Sequence, residues 1–305
     1  MLNPVSIRNF LLACLADCPA DNHARQLAQF IYETLATITP DLKMKLDLYQ
    51  IDAFTDKIFG GNPACVVPLV NWLSDDILLK ISKENAVAET AFFVDNGDKI
   101  HLRWFTPEIE MDLCGHATLA TAHCLKSILN YPKDKMIFET LSGDLTVLIE
   151  NNFYFLDFPS RMPLVSELPK IIEMSLNIQP KEVFKSRDYV LIYDSEEDIK
   201  NIKINRQIFD QINLGQGGVI VSAKGENCDF VSRFFTPQAS ILEDPVTGSA
   251  HCSLIPFWAN RLKKKKLTAM QISERVGKLN CEDKNDRVII SGQAKTYSTG
   301  SFWIN

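Results

Sequence analysis

A six-residue pattern occurs twice in this chain, and no other feature restricts the fold as strongly. Arg103-Trp104-Phe105-Thr106-Pro107-Glu108 is matched by Arg233-Phe234-Phe235-Thr236-Pro237-Gln238, and each copy is followed by a loop and a glycine that opens a helical pattern. The glycine runs are Gly115-His116-Ala117-Thr118 and Gly248-Ser249-Ala250-His251, and the second connecting loop is three residues longer, a difference surface loops absorb easily. The flanking segments keep one order. An apolar strand precedes each copy, Thr90 to Val94 and Val219 to Ala223, and a helix follows each glycine, about 116–129 and 249–262. Three short strands close each series, about 136–139, 144–149 and 153–158 against 269–273, 275–279 and 287–291. Recurrence of pattern and order together implies two homologous halves. The expected division is 44–158 and 159–293, joined across a stretch rich in Pro and charge near 159–170, with 294–305 as one more strand returning to the first half.

A length of 305 residues suits such a duplication, being about twice a typical domain. With 46% hydrophobic and 23% charged residues the chain can bury a sizeable core. Its net charge of −6 supplies no phosphate-attracting field, which sets aside nucleic acid and anionic membranes as partners in favour of a small molecule. No apolar run reaches the roughly 18 residues that span a bilayer. Eight cysteines, at 14, 18, 65, 114, 124, 228, 252 and 281, lack paired C-x-x-C spacing and read as free thiols in a reducing cytoplasm. Residues 1–43 stand apart as an N-terminal helical extension, two amphipathic helices at about 5–17 and 22–38 ended by Pro19 and Pro40, before the first core strand at Met44. The run Phe10 to Ala16 after Arg8 has the length of a short signal peptide, but Asp17 stands where a small residue should precede cleavage. An accessory hairpin is the expectation.

Two glycine-opened helices in a duplicated fold suggest helix N-termini that face one cleft. Free N–H groups and the positive end of the dipole make each terminus an anion site, and glycine lets a ligand approach the backbone. A carboxylate would suit that cleft, although Gly115 and Gly248 also fit a plain tight-turn role. The titratable residues differ between the halves. Glu89 stands at the entry of an apolar strand, where desolvation would raise a carboxyl pKa toward the range useful for moving protons. The matching stretch, Gly217-Gly218-Val219-Ile220, has no acid. His116 lies just inside the first helix, and Glu243-Asp244 precede the second. Each acid has a plainer alternative: Asp244 as a turn or capping carboxylate, Glu89 as a surface residue on a half-buried strand. His116, His123 and His251 with Cys114, Cys124 and Cys252 lack metal-site spacing, so no metal is expected. Gly60-Gly61-Asn62 fails the dinucleotide pattern, and Gly215, Gly217 and Gly218 lack the Lys-Ser/Thr of a phosphate loop. Lys263 to Lys266 reads as a solvated helix end.

Ile51-Asp52-Ala53-Phe54, Gly61-Asn62-Pro63-Ala64, Ala88-Glu89-Thr90, Phe105-Thr106-Pro107, Cys114-Gly115-His116-Ala117-Thr118 and Glu243-Asp244-Pro245-Val246-Thr247-Gly248-Ser249-Ala250 follow one another in that order. Over essentially 44–305 the chain thereby resembles the PhzF-like family, named for phenazine biosynthesis. The resemblance implies an α+β, diaminopimelate-epimerase-like fold of two pseudosymmetric halves, each with a sheet wrapped around a central helix. It also implies a homodimer and cofactor-independent isomerisation. The glutamate that shuttles a proton in the phenazine enzyme, and the histidine and aspartate that assist it, carry over onto Glu89, His116 and Asp244. Gly115, Gly248 and Ser249 match substrate-contacting positions. Related epimerases and proline racemases use two opposed cysteines, of which Cys114 matches the first while Pro245 stands where the second would be. Cys114 and Ala117 also replace Ala and Pro of the phenazine enzyme, a departure at the substrate. The expectation is an isomerase that moves a proton at carbon in a small carboxylate metabolite. Two alternatives stay open: a non-catalytic binding or regulatory protein on the same fold, and a proline racemase- or dehydratase-like enzyme using Cys114.

Overall fold

The computed structural model describes residues 43–304. The helices expected at 5–17 and 22–38, with Cys14 and Cys18, lie outside the described residues. Contacts divide the chain into two compact units, of which Asp47–Gly300 is the larger. In the smaller, the described residues are 43–46 and 301–304, and the Lys45 ammonium lies 6.0 Å from the centre of the Trp303 ring.

Strand β1 (Met44–Ala53) pairs antiparallel with β2 (Asn62–Leu69), and β2 runs parallel to β3 (Glu89–Asp95) after helix α1 (Asp75–Asn85). β3 turns back antiparallel into β4 (Ile100–Phe105), which takes the two-residue β5 (Glu110–Met111) against its end. The chain then enters α2 (Gly115–His123), continued by a π-helical turn at Cys124–Ile128. It emerges as β6 (Lys135–Thr140), parallel to β4, and closes with β7 (Gly143–Glu150) and β8 (Phe153–Pro159) in an antiparallel meander.

After β9 (Leu164–Val165) and α3 (Lys170–Ser175), the same pairings recur. β10 (Glu182–Lys185) is antiparallel to β11 (Tyr189–Ile192), and beyond α4 (Glu196–Asn201) and α5 (Arg206–Phe209), β12 (Val219–Lys224) is parallel to β11. β13 (Phe230–Phe235) pairs with β12 and with the two-residue β14 (Glu243–Asp244). Helix α6 (Gly248–Leu262) leads into β15 (Lys266–Gln271), parallel to β13, then β16 (Gly277–Asp283) and β17 (Arg287–Gly292). β18 (Ala294–Ile304) follows. The two series are stitched together where β8 and β17 pair antiparallel, with Val288 opposite Phe158 and Ile290 opposite Leu156.

Side-chain periodicity accounts for these elements. In β8, Tyr154, Leu156 and Phe158 alternate inward as a one-faced strand requires. Helices α2 and α6 have no such polarity: Gly115 to Ala122 and Gly248 to Ala259 are buried throughout, as befits helices enclosed on every side. α2 packs on β2, β3 and β8, and α6 on β15, β16 and β17. Pro256 inside α6 cannot donate to the Cys252 carbonyl, and the backbone N–H of Arg161 takes that place at 2.9 Å.

The repeated pattern also acquires a physical meaning. Arg103 grips both oxygens of Glu110 at 2.7 Å and lies 5.0 Å from the Phe105 ring. Arg233 does the same to Glu243, at 2.7 Å, over Phe235 at 4.9 Å. Such bidentate, charge-assisted pairs hold a definite geometry. Each arginine therefore fixes a two-residue strand, β5 or β14, that aims the chain into the following helix.

Candidate active site

The helix N-termini that open with Gly115 and Gly248 abut. A Cβ on Gly115 would stand 2.8 Å from the Gly248 Cα, and the converse is equally tight, so no residue but glycine permits this approach. The residues preceding the helices, Cys114 and Thr247, provide no side-chain cap. The first turns thus keep N–H groups in need of acceptors. Glu89, Cys114, Gly115, His116, Asp244, Gly248 and Ser249 all line one cavity of about 410 Å³ there, with Pro107, Ile109, Pro237 and Ile241 on its loops. A second, more open groove of about 650 Å³ is lined by Lys264, Thr268 and Glu282 among others. Two of its charged residues have ion-pair neighbours, Lys264 with Asp229 and Glu282 with Lys284.

Glu89, the first residue of β3, brings Oε2 to 3.2 Å from His116 Nε2. Both atoms are buried, and neither makes an aligned hydrogen bond among the described residues. Burial pulls the imidazole pKa down, but Cys114 and the Glu89 carboxylate pull it up and prevail, holding the ring well above its ordinary value. Burial, then the charge of Glu89, pushes the Cys114 thiol up to about 11. Burial thus disfavours the Cys114 thiolate, and the ring's nearest neighbours are the Cys114 sulfur on Nδ1 and Glu89 on Nε2.

β14 has two residues, so Glu243 and Asp244 project to opposite faces. Glu243 meets Arg233, while Asp244 turns into the cavity, where Oδ1 accepts from Asn62 Nδ2 at 2.6 Å and Oδ2 accepts from the Thr247 hydroxyl. Burial and then the Glu89 charge raise this carboxyl to about 6, against the opposing pull of His116, Thr247 and Asn62. Asp244 is thus a carboxyl raised chiefly by desolvation.

Four further residues build the site without having been singled out from the sequence. Asn62 Nδ2 donates to Asp244 Oδ1 and to the Val246 carbonyl, at 2.9 Å, and lies 3.1 Å from His116 Nδ1. Buried Gln271 donates to the Asp244 carbonyl at 2.7 Å and accepts from the Thr247 N–H at 2.8 Å, fixing the turn between β14 and α6. Arg275 holds the Gly60 and Gly61 carbonyls at 3.0 and 2.9 Å and Asp52 at 2.7 Å. That grip delivers Asn62, and Gly61 is required there by a φ of +61° and by the Ala53 carbonyl 2.0 Å from any Cβ. Arg187 donates to Ser249 Oγ at 2.8 Å.

Glu89, Cys114 and His116 offer atoms within 4.8 Å of one another, a spread that ligands of one ion could have. The ring, however, presents Nε2 to the carboxylate and Nδ1 to the sulfur, at 3.6 Å, so one ion could not use the ring from both sides. His123 and His251 are structural. Burial lowers both to about 4, with His123 bonded to Tyr154 and Thr296 and His251 to the Thr247 carbonyl. Cys124 and Cys252 are free and buried inside their helices.

The model of the phenazine biosynthesis-like proteins, PhzC-PhzF, matches residues 51–300. An uncharacterized isomerase of Pseudomonas aeruginosa is 44% identical over 259 residues, spanning 85% of this chain and 99% of its own. The crystal structure of a phenazine biosynthesis protein of the PhzF family from Enterococcus faecalis is similar with a TM-score of 0.80 at 42% identity, over 86% of this chain and 100% of that one. A structure described as a predicted epimerase from P. aeruginosa shares the fold, with a TM-score of 0.65 at 16% identity over 84% of this chain and 99% of that one. With its α+β, epimerase-like architecture, the chain belongs to the phenazine biosynthesis-like protein family.

Proposed function

We propose that the protein is an isomerase that moves a proton between carbons of a small carboxylate metabolite, with Glu89 as general acid and base and no cofactor. The observation that carries this reading is the Glu89–His116 pair beside two abutting helix N-termini. A proton-transfer carboxylate stands next to an anion-binding backbone. The description of the P. aeruginosa relative as an isomerase supports the reaction class. The repeated strand pairings support reading 44–158 and 159–293 as two halves that contribute one helix terminus each.

In this reading the substrate carboxylate lies on the N–H groups around Gly115, Gly248 and Ser249. Glu89, held against the His116 ring, removes a proton from a carbon made acidic by conjugation. The C–H electron pair enters the adjacent π system, and Glu89 returns the proton to a second carbon, re-forming the double bond in a new place. No atom or electron is gained or lost. Asp244, with its carboxyl raised to about 6, donates a hydrogen bond to the charge that develops when protonated. A thiol pushed up to about 11 supports Glu89 over Cys114 as the proton carrier.

Calorimetry with citrate, tartrate and anthranilate checks the carboxylate site. At least one of these acids is expected to bind. Absence of binding by all of them, with the fold intact, contradicts the reading.

A further inference from the structure

We propose that Arg187 sets the direction in which the substrate lies, by fixing Ser249 as the donor for its carboxylate at the α6 end of the cavity. The reacting carbon is then left to Glu89 at the α2 end. The inference rests on the carboxylate reading above.

The two helix termini are alike in backbone and opposite in surroundings. Glu89 and Cys114 flank the start of α2, whereas Ser249 and Arg187 flank the start of α6, and all four line the cavity. At the α6 end the Ser249 hydroxyl, able to donate, lines the cavity, and at the α2 end the Glu89 carboxyl does. The guanidinium is held rigidly. Its Nε and Nη2 each lie 3.2 Å from an oxygen of Asp188, which is 1% exposed and also accepts from the Gly218 N–H at 2.9 Å. Burial opposes the charge on Arg187, but Asp188 and then Asp112 sustain it.

A guanidinium only donates. Its bond to Ser249 Oγ therefore fills an acceptor site on that oxygen and leaves the hydroxyl hydrogen to be given elsewhere. With Ser249 on the cavity wall, that hydrogen is available to an anion. Arg187 is paired with Asp188 and, at 3.7 Å, with Asp112 Oδ1, while its buried Nη1 makes no aligned hydrogen bond among the described residues. Arg187 is a positioning residue that acts on the substrate through Ser249.

The test compares anthranilate with anthranilamide, its neutral isostere, by calorimetry. Wild type should favour the acid by about tenfold or more, the scale of a charge-assisted hydrogen bond. Arg187→Met combined with Asp188→Asn removes both charges of the buried pair, so neither is stranded. In that variant the preference should collapse while amide affinity holds. Arg187→Lys should restore part of the preference, and Ser249→Ala should lower it. If the paired variant is folded and keeps the wild-type ratio, the inference is overturned while the carboxylate reading stands. If the paired variant does not fold, an unchanged ratio in both Arg187→Lys and Ser249→Ala overturns the inference as well. A wild type that does not distinguish acid from amide removes the carboxylate reading and this inference together.

Discussion

At Asp244 burial and hydrogen bonding pull one carboxyl in opposite directions, and burial prevails. A folded-state pKa of about 6 against an ordinary 3.8 means that between those values the folded protein holds a proton the unfolded chain has released. The stabilisation is complete below about pH 4 and is lost as pH rises through 6. Asp244→Asn keeps an acceptor for Asn62 and cannot ionise. Its melting temperature relative to wild type should therefore climb from pH 4 to pH 7, and a flat or falling difference contradicts the assignment. Glu89 and His116 were legible in the sequence because they stand at the entry of a strand and a helix tied to the repeat. Asp244, like Glu89, was legible only beside a plainer alternative, since nothing local says which face of a two-residue strand looks inward. Asn62 was not legible: its partners His116 and Asp244 lie 54 and 182 positions away, and a single amide leaves no periodic or charge signal. Arg187-Asp188 carries no local mark of burial, and only the fold buries it.

Among the elements, the order of the repeated strands and of the two central helices followed from periodicity and from the Arg-aromatic-Phe-Thr-Pro repeat, whereas α1 and the elements from β9 to α5 carried no such repeat. The physical root of that repeat, a grip on Glu110 and Glu243, was hidden because β5 and β14 are too short to show a period of two. The helix expected to run to 129 is α-helical only to His123 before the π turn. The contact between Gly115 and Gly248 carries the most at this scale. Gly115→Ala would place its Cβ 2.8 Å from backbone that cannot step aside. Overpacking of that kind costs about 1–3 kcal/mol, so the variant should unfold at lower denaturant and bind anthranilate more weakly. Gly300→Ala, with nothing within 4 Å of the new carbon, serves as the neutral comparison. Equal stability in the two variants would show that the helix termini do not press together.

For the whole molecule, the family match covers 51–300 and one relative is matched over 99% of its own length, and the fold is expected to form without the segment preceding Met44. A chain shortened to begin at Met44 should melt in one cooperative transition; a broad, non-cooperative loss of structure would make the preceding residues part of the core. The closure of β8 on β17, which joins the two series, left no trace in the sequence because the paired residues lie about 130 positions apart and carry no local mark of each other. What this architecture is proposed to accomplish is carbon–hydrogen exchange by Glu89, and mass spectrometry after incubation in deuterated water reads that directly. Across a panel of small carboxylates, wild type should place solvent deuterium on carbon in at least one acid. Glu89→Gln, nearly isosteric and unable to take a proton, should bind the same acid and exchange it about 10²- to 10⁴-fold more slowly. Equal exchange by both proteins, or none by wild type on any acid that it binds, would contradict the account.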